Sequence, residues 1–142
     1  MNSPFDPIVH AFETLTPEAV AGLGALYADD ARFKDPFSEV RGLAQIQRIF
    51  DHMYLSLDNP RFIITNRIVQ GRQCFLNWEF RFGFRRFLRG QEQCIRGGSH
   101  LVLDDVGRIM LHRDYWDAAE ELYEKIPLLG SFMRWLKQRA KN

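Results

Sequence analysis

The sequence is short of most features that announce a chemistry. Cysteine occurs twice, at Cys74 and Cys94, a pair that matches no metal-ligand spacing and could close one bridge at most. The charges nearly cancel: 19 Lys and Arg against 18 Asp and Glu leave a formal net charge of +1. That balance gives no global field for nucleic acid or for an acidic partner. No apolar run reaches the roughly 18 residues needed to cross a bilayer. Met1 to Pro7 has neither the charged nor the apolar region of an export signal, so the expected setting is the cytoplasm, with reduced thiols. Nucleophile elbow, P-loop, dinucleotide fingerprint and His/Cys clusters are all missing, and neither metal nor cofactor is expected. Repeats, low-complexity tracts and linkers are missing too, so residues 1–142 read as one domain.

What is present is aromatic. The 142 residues hold 12 Phe, 3 Trp and 4 Tyr, within a composition that is 46% hydrophobic and 26% charged, the balance of a folded chain. Aromatic side chains build a dense core, and they also line apolar cavities well. Both uses are open here.

The periodicity divides the chain. Pro7 to Leu15 predicts a first helix. Thr16-Pro17-Glu18 is a strong helix start, with a capping hydroxyl, proline in the first turn and an early acid. It predicts a second helix carrying Val20, Leu23, Leu26 and Tyr27 on one stripe and ending at Ala28-Asp29-Asp30. Ala31 to Lys34 reads as a short extended piece, halted where Asp35 must leave the α region before Pro36. Leu43 to Leu57 predicts a third helix, stopped by Asp58-Asn59-Pro60. From Arg61 the period becomes two, predicting strands over Phe62–Gln70, Gln73–Phe84, Leu88–Leu103 and Ile109–Trp116. Gly97-Gly98 inside the third of these suggests a bulge or bend. Helices followed by a run of strands make an α+β domain with helices on one sheet face. Residues 118–142 return to helix as a C-terminal extension.

The segment Leu26-Tyr27-Ala28-Asp29-Asp30-Ala31-Arg32-Phe33-Lys34-Asp35-Pro36-Phe37, followed by Gly42 and a helix, resembles the NTF2-like superfamily. It is most similar to SnoaL-like proteins, relatives of the ketosteroid isomerases. The resemblance runs from about Pro17 to Trp116 in order of elements and is specific around Tyr27 to Gly42. It implies a cone-shaped barrel in which a curved sheet wraps around the N-terminal helices, a cavity between them, and a homodimer.

In the ketosteroid isomerases the aspartate of this Asp-Pro pair is the general base, and Asp35 falls on that position. A carboxylate facing an apolar cavity has its pKa raised by desolvation, toward values useful for proton transfer near neutrality; ketosteroid isomerase is itself a standard case of this tuning. Equally, Asp35 can fix the turn at Pro36 through backbone amides. Ser99 falls where the isomerases carry a protonated aspartate, and Phe12 stands in a first helix that has no tyrosine. The set of donors for an enolate oxygen is therefore depleted. On the last strand His112, Asp114 and Trp116 alternate toward one face, and His112 and Asp114 are candidate partners of Asp35. They can also serve only to bond each other and the strand. His100 should face the other way. Glu79-x-Arg81 reverses the Arg-x-Asp order of limonene epoxide hydrolases, which counts against that chemistry.

The expected site is thus Asp35, His112 and Asp114 as catalytic groups. Phe12, Tyr27, Phe37, Phe50, Tyr54, Trp78, Phe80, Ser99, Leu101 and Trp116 are the expected walls around a small apolar molecule. Two functions follow: a cofactor-independent isomerase, cyclase or lyase on a small apolar carbonyl compound, or a binding or adaptor module without catalysis. Two basic aromatic stretches remain. Arg81 to Arg89 should put its rings in the core and its arginines in water, so nucleic-acid binding is not expected. Ile126 to Lys141 carries Leu128, Leu129, Phe132, Met133, Trp135 and Leu136 opposite Arg134, Lys137, Arg139 and Lys141. Such a helix docks on its own domain or rests on a membrane surface, and docking is the favoured expectation.

Overall fold

The structure, a computed structural model, describes residues 3–86, 88–121, 135 and 138–140. Helix α1 (Asp6–Glu13) begins with Pro7 in its first turn, where no amide is needed. Ser3 Oγ accepts the Phe5 amide at 3.1 Å, and α1 buries Ile8, Val9 and Phe12. The Thr16-Pro17-Glu18 start does nucleate a helix, but a different one from that expected. Residues Glu18–Ala25 form a 3₁₀ helix, closed by an i→i+3 bond from the Leu26 amide to Leu23 O at 2.9 Å. Gly22 and Gly24 weaken an α-helix here, and tertiary pairing takes over directly afterwards. Tyr27 to Asp30, expected at the helix end, open strand β1 (Tyr27–Lys34).

Strand β2 (Glu39–Arg41), which the periodicity does not predict, turns back onto β1. Gly42, at φ 103°, leads into α2 (Leu43–Ser56), which buries Ile46 and Phe50. The chain then enters β3 (Leu57–Gln70) at once, with no break at Asp58-Asn59-Pro60. Asn59 takes a left-handed φ of 47°, and the register skips between Asp58 and Arg61. A proline fits there because β3 is an edge strand and the irregularity removes the need for its amide. Strands β4 (Gln73–Phe84), β5 (Gln93–Leu103) and β6 (Ile109–Tyr115) follow. β5 starts at Gln93 rather than Leu88, because Leu88 and Gly90 both have positive φ and make a turn. The short α3 (Ala118–Glu121) closes the described part. The rest of the expected C-terminal helix lies outside the described residues, apart from residues 135 and 138–140, where Arg139 sits over the Trp135 ring at 5.4 Å.

The six strands form one unclosed, curved sheet in the order β2-β1-β6-β5-β4-β3. All neighbours are antiparallel except β1 and β6, which run parallel and set Phe33 opposite His112. Along β4 the inward residues Leu76, Trp78 and Phe82 are buried, while Phe75, Asn77, Glu79 and Arg81 take the outer face. Helices α1 and α2 pack on the inward side. Ile8, Leu23, Ile46, Leu101 and Ile109 are at most 2% exposed; truncating any one of them to alanine should cost about 2–5 kcal/mol.

The expected bulge at Gly97-Gly98 is not there, since the β4–β5 register is continuous through both residues. The glycines serve close approach instead. A Cβ on Gly97 would stand 2.7 Å from the Trp78 ring and 2.9 Å from Trp116 Cβ, and one on Gly98 would stand 2.3 Å from the Phe75 ring. The skips lie elsewhere, one of them between Ile64 and Asn66. There the Glu13 carboxylate accepts the Ile64 amide at 3.2 Å, tying α1 to the edge strand.

Candidate functional site

Between α1, α2 and the inward sheet face lies a cavity of about 620 Å³, a size that suits a small-molecule ligand. Phe12, Phe37, Phe50, Trp78, Phe80 and Trp116 line it, as do Asp35, Ser99, His112 and Asp114. Tyr27, Tyr54 and Leu101, expected as walls, are not among the lining residues. Leu101 is fully buried in the core and Tyr27 stands behind His112. Phe33, Phe62, Phe82 and Ile95 add to the walls, and Gln45, Arg48, His52 and Ser56 form a polar stripe along α2. The sequence reading does not single out that stripe. Its i, i+3, i+7, i+11 spacing was the available signal, and the exposure of all four residues makes it the mouth.

The Asp-Pro turn holds the first carboxylate. Asp35 Oδ1 accepts the amides of Phe37 at 2.8 Å and Ser38 at 2.7 Å, so the turn-fixing role is real. Burial nevertheless raises the Asp35 pKa above the usual carboxylate range. The two amides oppose the shift, the Asp114 charge adds to it, and His112 lowers it. Turn fixing and proton chemistry are therefore compatible in one side chain, through different oxygens.

The second carboxylate sits at the centre of a hydrogen-bond chain. Trp78 Nε1–H donates to Ser99 Oγ at 2.8 Å, and an indole can only donate. The Ser99 hydroxyl therefore turns its own hydrogen to Asp114 Oδ1. From the other side, Tyr27 Oη lies 2.6 Å from His112 Nδ1, and His112 Nε2 lies 2.7 Å from the same Asp114 Oδ1. Burial, and then the Asp114 charge, hold the Tyr27 phenol well above its usual pKa, so it remains a neutral donor. His112 is its one hydrogen-bond partner among the described residues. The directions follow from the two ends: Tyr27 gives to Nδ1, Nε2–H gives to Asp114, and the chain converges on one oxygen. The imidazole is boxed by rings, Phe33 at 4.7 Å and Phe12 at 5.8 Å edge-on and Tyr27 parallel at 5.9 Å.

His100 bonds Gln73 on the outer face, as its register requires. Glu79 and Arg81 pair with each other at 2.7 Å on that face as well, so the reversed epoxide-hydrolase pair is not in the cavity. In the basic stretch Phe82 and Phe84 turn inward, while Arg81 pairs with Glu79 and Glu92 and Arg85 with Asp58. Phe87 lies outside the described residues. Among the described residues no cluster of His, Cys, Asp and Glu could hold a metal, and no helix is long and apolar enough to cross a membrane.

A family model for the SnoaL-like domain matches residues 8–112, the span that contains the cavity and all but the last residues of its polar end. The chain belongs to the SnoaL-like family. A search of the curated proteins gives no match. Among solved structures, an NTF2-like protein of unknown function from Burkholderia pseudomallei superposes with a TM-score of 0.72 at 16% identity, covering 84% of this chain and 95% of that one. A candidate SnoaL-like polyketide cyclase of Shewanella putrefaciens gives 0.70 at 19% identity over 86% and 97%. An LEH-like epoxide hydrolase of M. tuberculosis gives 0.65 at 18% over 83% of each. At these identities the likeness is one of fold, and the cone-shaped NTF2-like architecture implied by the Asp-Pro segment stands.

Proposed function

We propose that this SnoaL-like protein binds a small, largely apolar molecule in the cavity and that Asp35 takes a proton from it. The chemistry would be that of a cofactor-independent isomerase, cyclase or lyase. The observation that carries the reading is that Asp35, close enough to feel the charges of His112 and Asp114, lines with them a largely apolar cavity. Asp35 keeps Oδ2 clear of the turn bonds that occupy Oδ1. Its raised pKa brings it closer to the range in which a base both accepts and returns a proton efficiently. Asp114, fixed by two donors, contributes standing negative charge beside it.

One observation favours the second reading, a binding module without turnover. The Ser99 hydroxyl, at the position expected to support a developing oxyanion, is committed to Asp114, and an enolate oxygen would find no donor from Ser99 or His112. Asp35→Asn separates the two readings, because asparagine keeps an oxygen for the Phe37 and Ser38 amides. Loss of turnover in a variant that still folds and still binds ligand is the enzymatic result, and turnover retained in the variant contradicts the role given to Asp35.

The same reading expects a homodimer through the outer sheet face, where Ile63, Ile68 and Tyr115 are 40%, 61% and 45% exposed. Sedimentation of the Ile68→Glu variant tests it: a monomer is expected, and an unchanged mass contradicts the choice of face.

A further inference from the structure

The hydrogen-bond chain settles more than the orientation of His112. The Trp78 indole can only donate, and the Asp114 carboxylate holds Nε2–H of a neutral His112. The bare Nδ1 of that ring then takes the Tyr27 hydrogen, so both arms pass their polarity inward to Asp114 Oδ1. At the end of the cavity formed by Asp35, Ser99, His112 and Asp114, every side-chain donor is therefore engaged within the protein. What remains on offer is acceptor oxygen. Asp114 Oδ2 has no hydrogen bond among the described residues, and Asp35 carries its two amide bonds on Oδ1 alone. Donors persist on the neighbouring Ser38 hydroxyl and Trp116 indole, and at the exposed mouth on Gln45, Arg48 and His52.

We propose that the ligand of this cavity places a protonated amine, carried on an apolar body, against Asp35 and Asp114. This rests on the reading of the cavity as a ligand site and on no assumption of turnover. Two carboxylates side by side repel a carboxylate ligand, and neither Ser99 nor His112 has a hydrogen left for a bare carbonyl. An ammonium relieves that repulsion and donates to both carboxylates. Phe33, Phe37 and Trp116 also line the cavity, and aromatic rings attract a cation more than a neutral hydroxyl. The aromatic remainder of the cavity takes the apolar body. Arg48 at the mouth forms no ion pair among the described residues, and an anionic ligand would have to bind there, in water.

Calorimetric titration of the intact protein near neutral pH with 4-phenylbutylamine, 4-phenylbutan-1-ol and 4-phenylbutyrate separates these cases, since the three share one apolar body. The amine is expected to bind about tenfold tighter than the alcohol, with the acid weakest. Asp114→Asn and Asp35→Asn, checked for folding by circular dichroism, should each shrink the preference for amine over alcohol. Equal binding of acid and amine, or a preference unchanged in both variants, overturns the proposal while leaving the cavity a ligand site. Failure of all three compounds to bind overturns both.

Discussion

The Tyr27 hydroxyl lies 2.6 Å from His112 Nδ1, and this contact ties the first residue of strand β1 to β6, the strand it runs parallel to. Because the Asp114 carboxylate can only accept, it holds Nε2–H; a neutral imidazole then presents a bare Nδ1, and the buried, neutral phenol donates to it. Nitrogen-15 NMR of the His112 ring should therefore show a protonated Nε2 and an unprotonated Nδ1. In Tyr27→Phe the Nε2–H bond to Asp114 still sets the tautomer, Nδ1 is left without its donor, and stability falls by about 1–3 kcal/mol for the buried partner left unpaired. A wild-type ring protonated on Nδ1 contradicts the direction of the whole chain.

Gly97 is where β5 lets two tryptophans close in. A Cβ there would lie 2.7 Å from the Trp78 ring and 2.9 Å from both Trp116 Cβ and Tyr115 O. Backbone and a buried ring cannot both yield cheaply. Gly97→Ala should lower stability by about 1–3 kcal/mol and disturb the emission of the tryptophans. Gly22→Ala, with open space around the new methyl, is the control and should stay within about 0.5 kcal/mol of wild type. Equal stability of the two variants removes the packing role given to Gly97.

Asp35 ties stability to pH with a definite sign. Its folded pKa is raised above the ordinary value of 3.8, chiefly by burial. Between the two values the folded state holds more proton than the unfolded one, and stability falls as pH rises through that window. Asp6 and Glu92, whose pKa values are lowered by Arg67 and Arg61 respectively, act in the opposite sense, so the raw pH profile mixes the two. The difference between Asp35→Asn and wild type isolates the first. Urea unfolding at a series of pH values should show the variant gaining relative to wild type as pH rises above 3.8, then levelling off. A difference that stays constant contradicts the raised value.

The thiols should separate by accessibility. Cys74 is buried on β4, and burial pushes its pKa up to about 11, which suppresses the reactive thiolate. Cys94 is half-buried at the other end of the hairpin partner. Iodoacetamide followed by peptide mass spectrometry should label Cys94 well before Cys74. Equal rates contradict the packing of the β4–β5 hairpin.

Much of this was legible in the sequence, for local reasons. The alternation from Phe75 to Phe82 is set by the two-residue repeat of a strand and returned β4 with its bounds unchanged. Asp35-Pro36 and Gly42 mark a turn and a helix start whatever lies around them. The face shared by His112, Asp114 and Trp116 follows from the same repeat. What escaped was set by partners distant in the chain. Tyr27 sits in a stretch with helical spacing, yet parallel pairing with β6 draws it into β1, and only that pairing puts its hydroxyl beside His112. Gly97-Gly98 carries the same sequence signal whether a strand bulges or a ring passes over it. The bond from Ser99 to Asp114, and through it the link to Trp78, needs the β5–β6 register in which Ser99 pairs with Asp114, and that register has no mark in the sequence.

The central claim is that the aromatic cavity is a ligand site whose polar end is Asp35 and Asp114. A crystal structure of the protein with 4-phenylbutylamine tests it most directly. The predicted result is the phenyl ring among Phe12, Phe50 and Phe80, with the nitrogen within hydrogen-bond distance of Asp114 Oδ2 or Asp35. A probe bound instead on the outer sheet face beside Arg96 and Tyr115, with the cavity closed or filled by side chains, would contradict it.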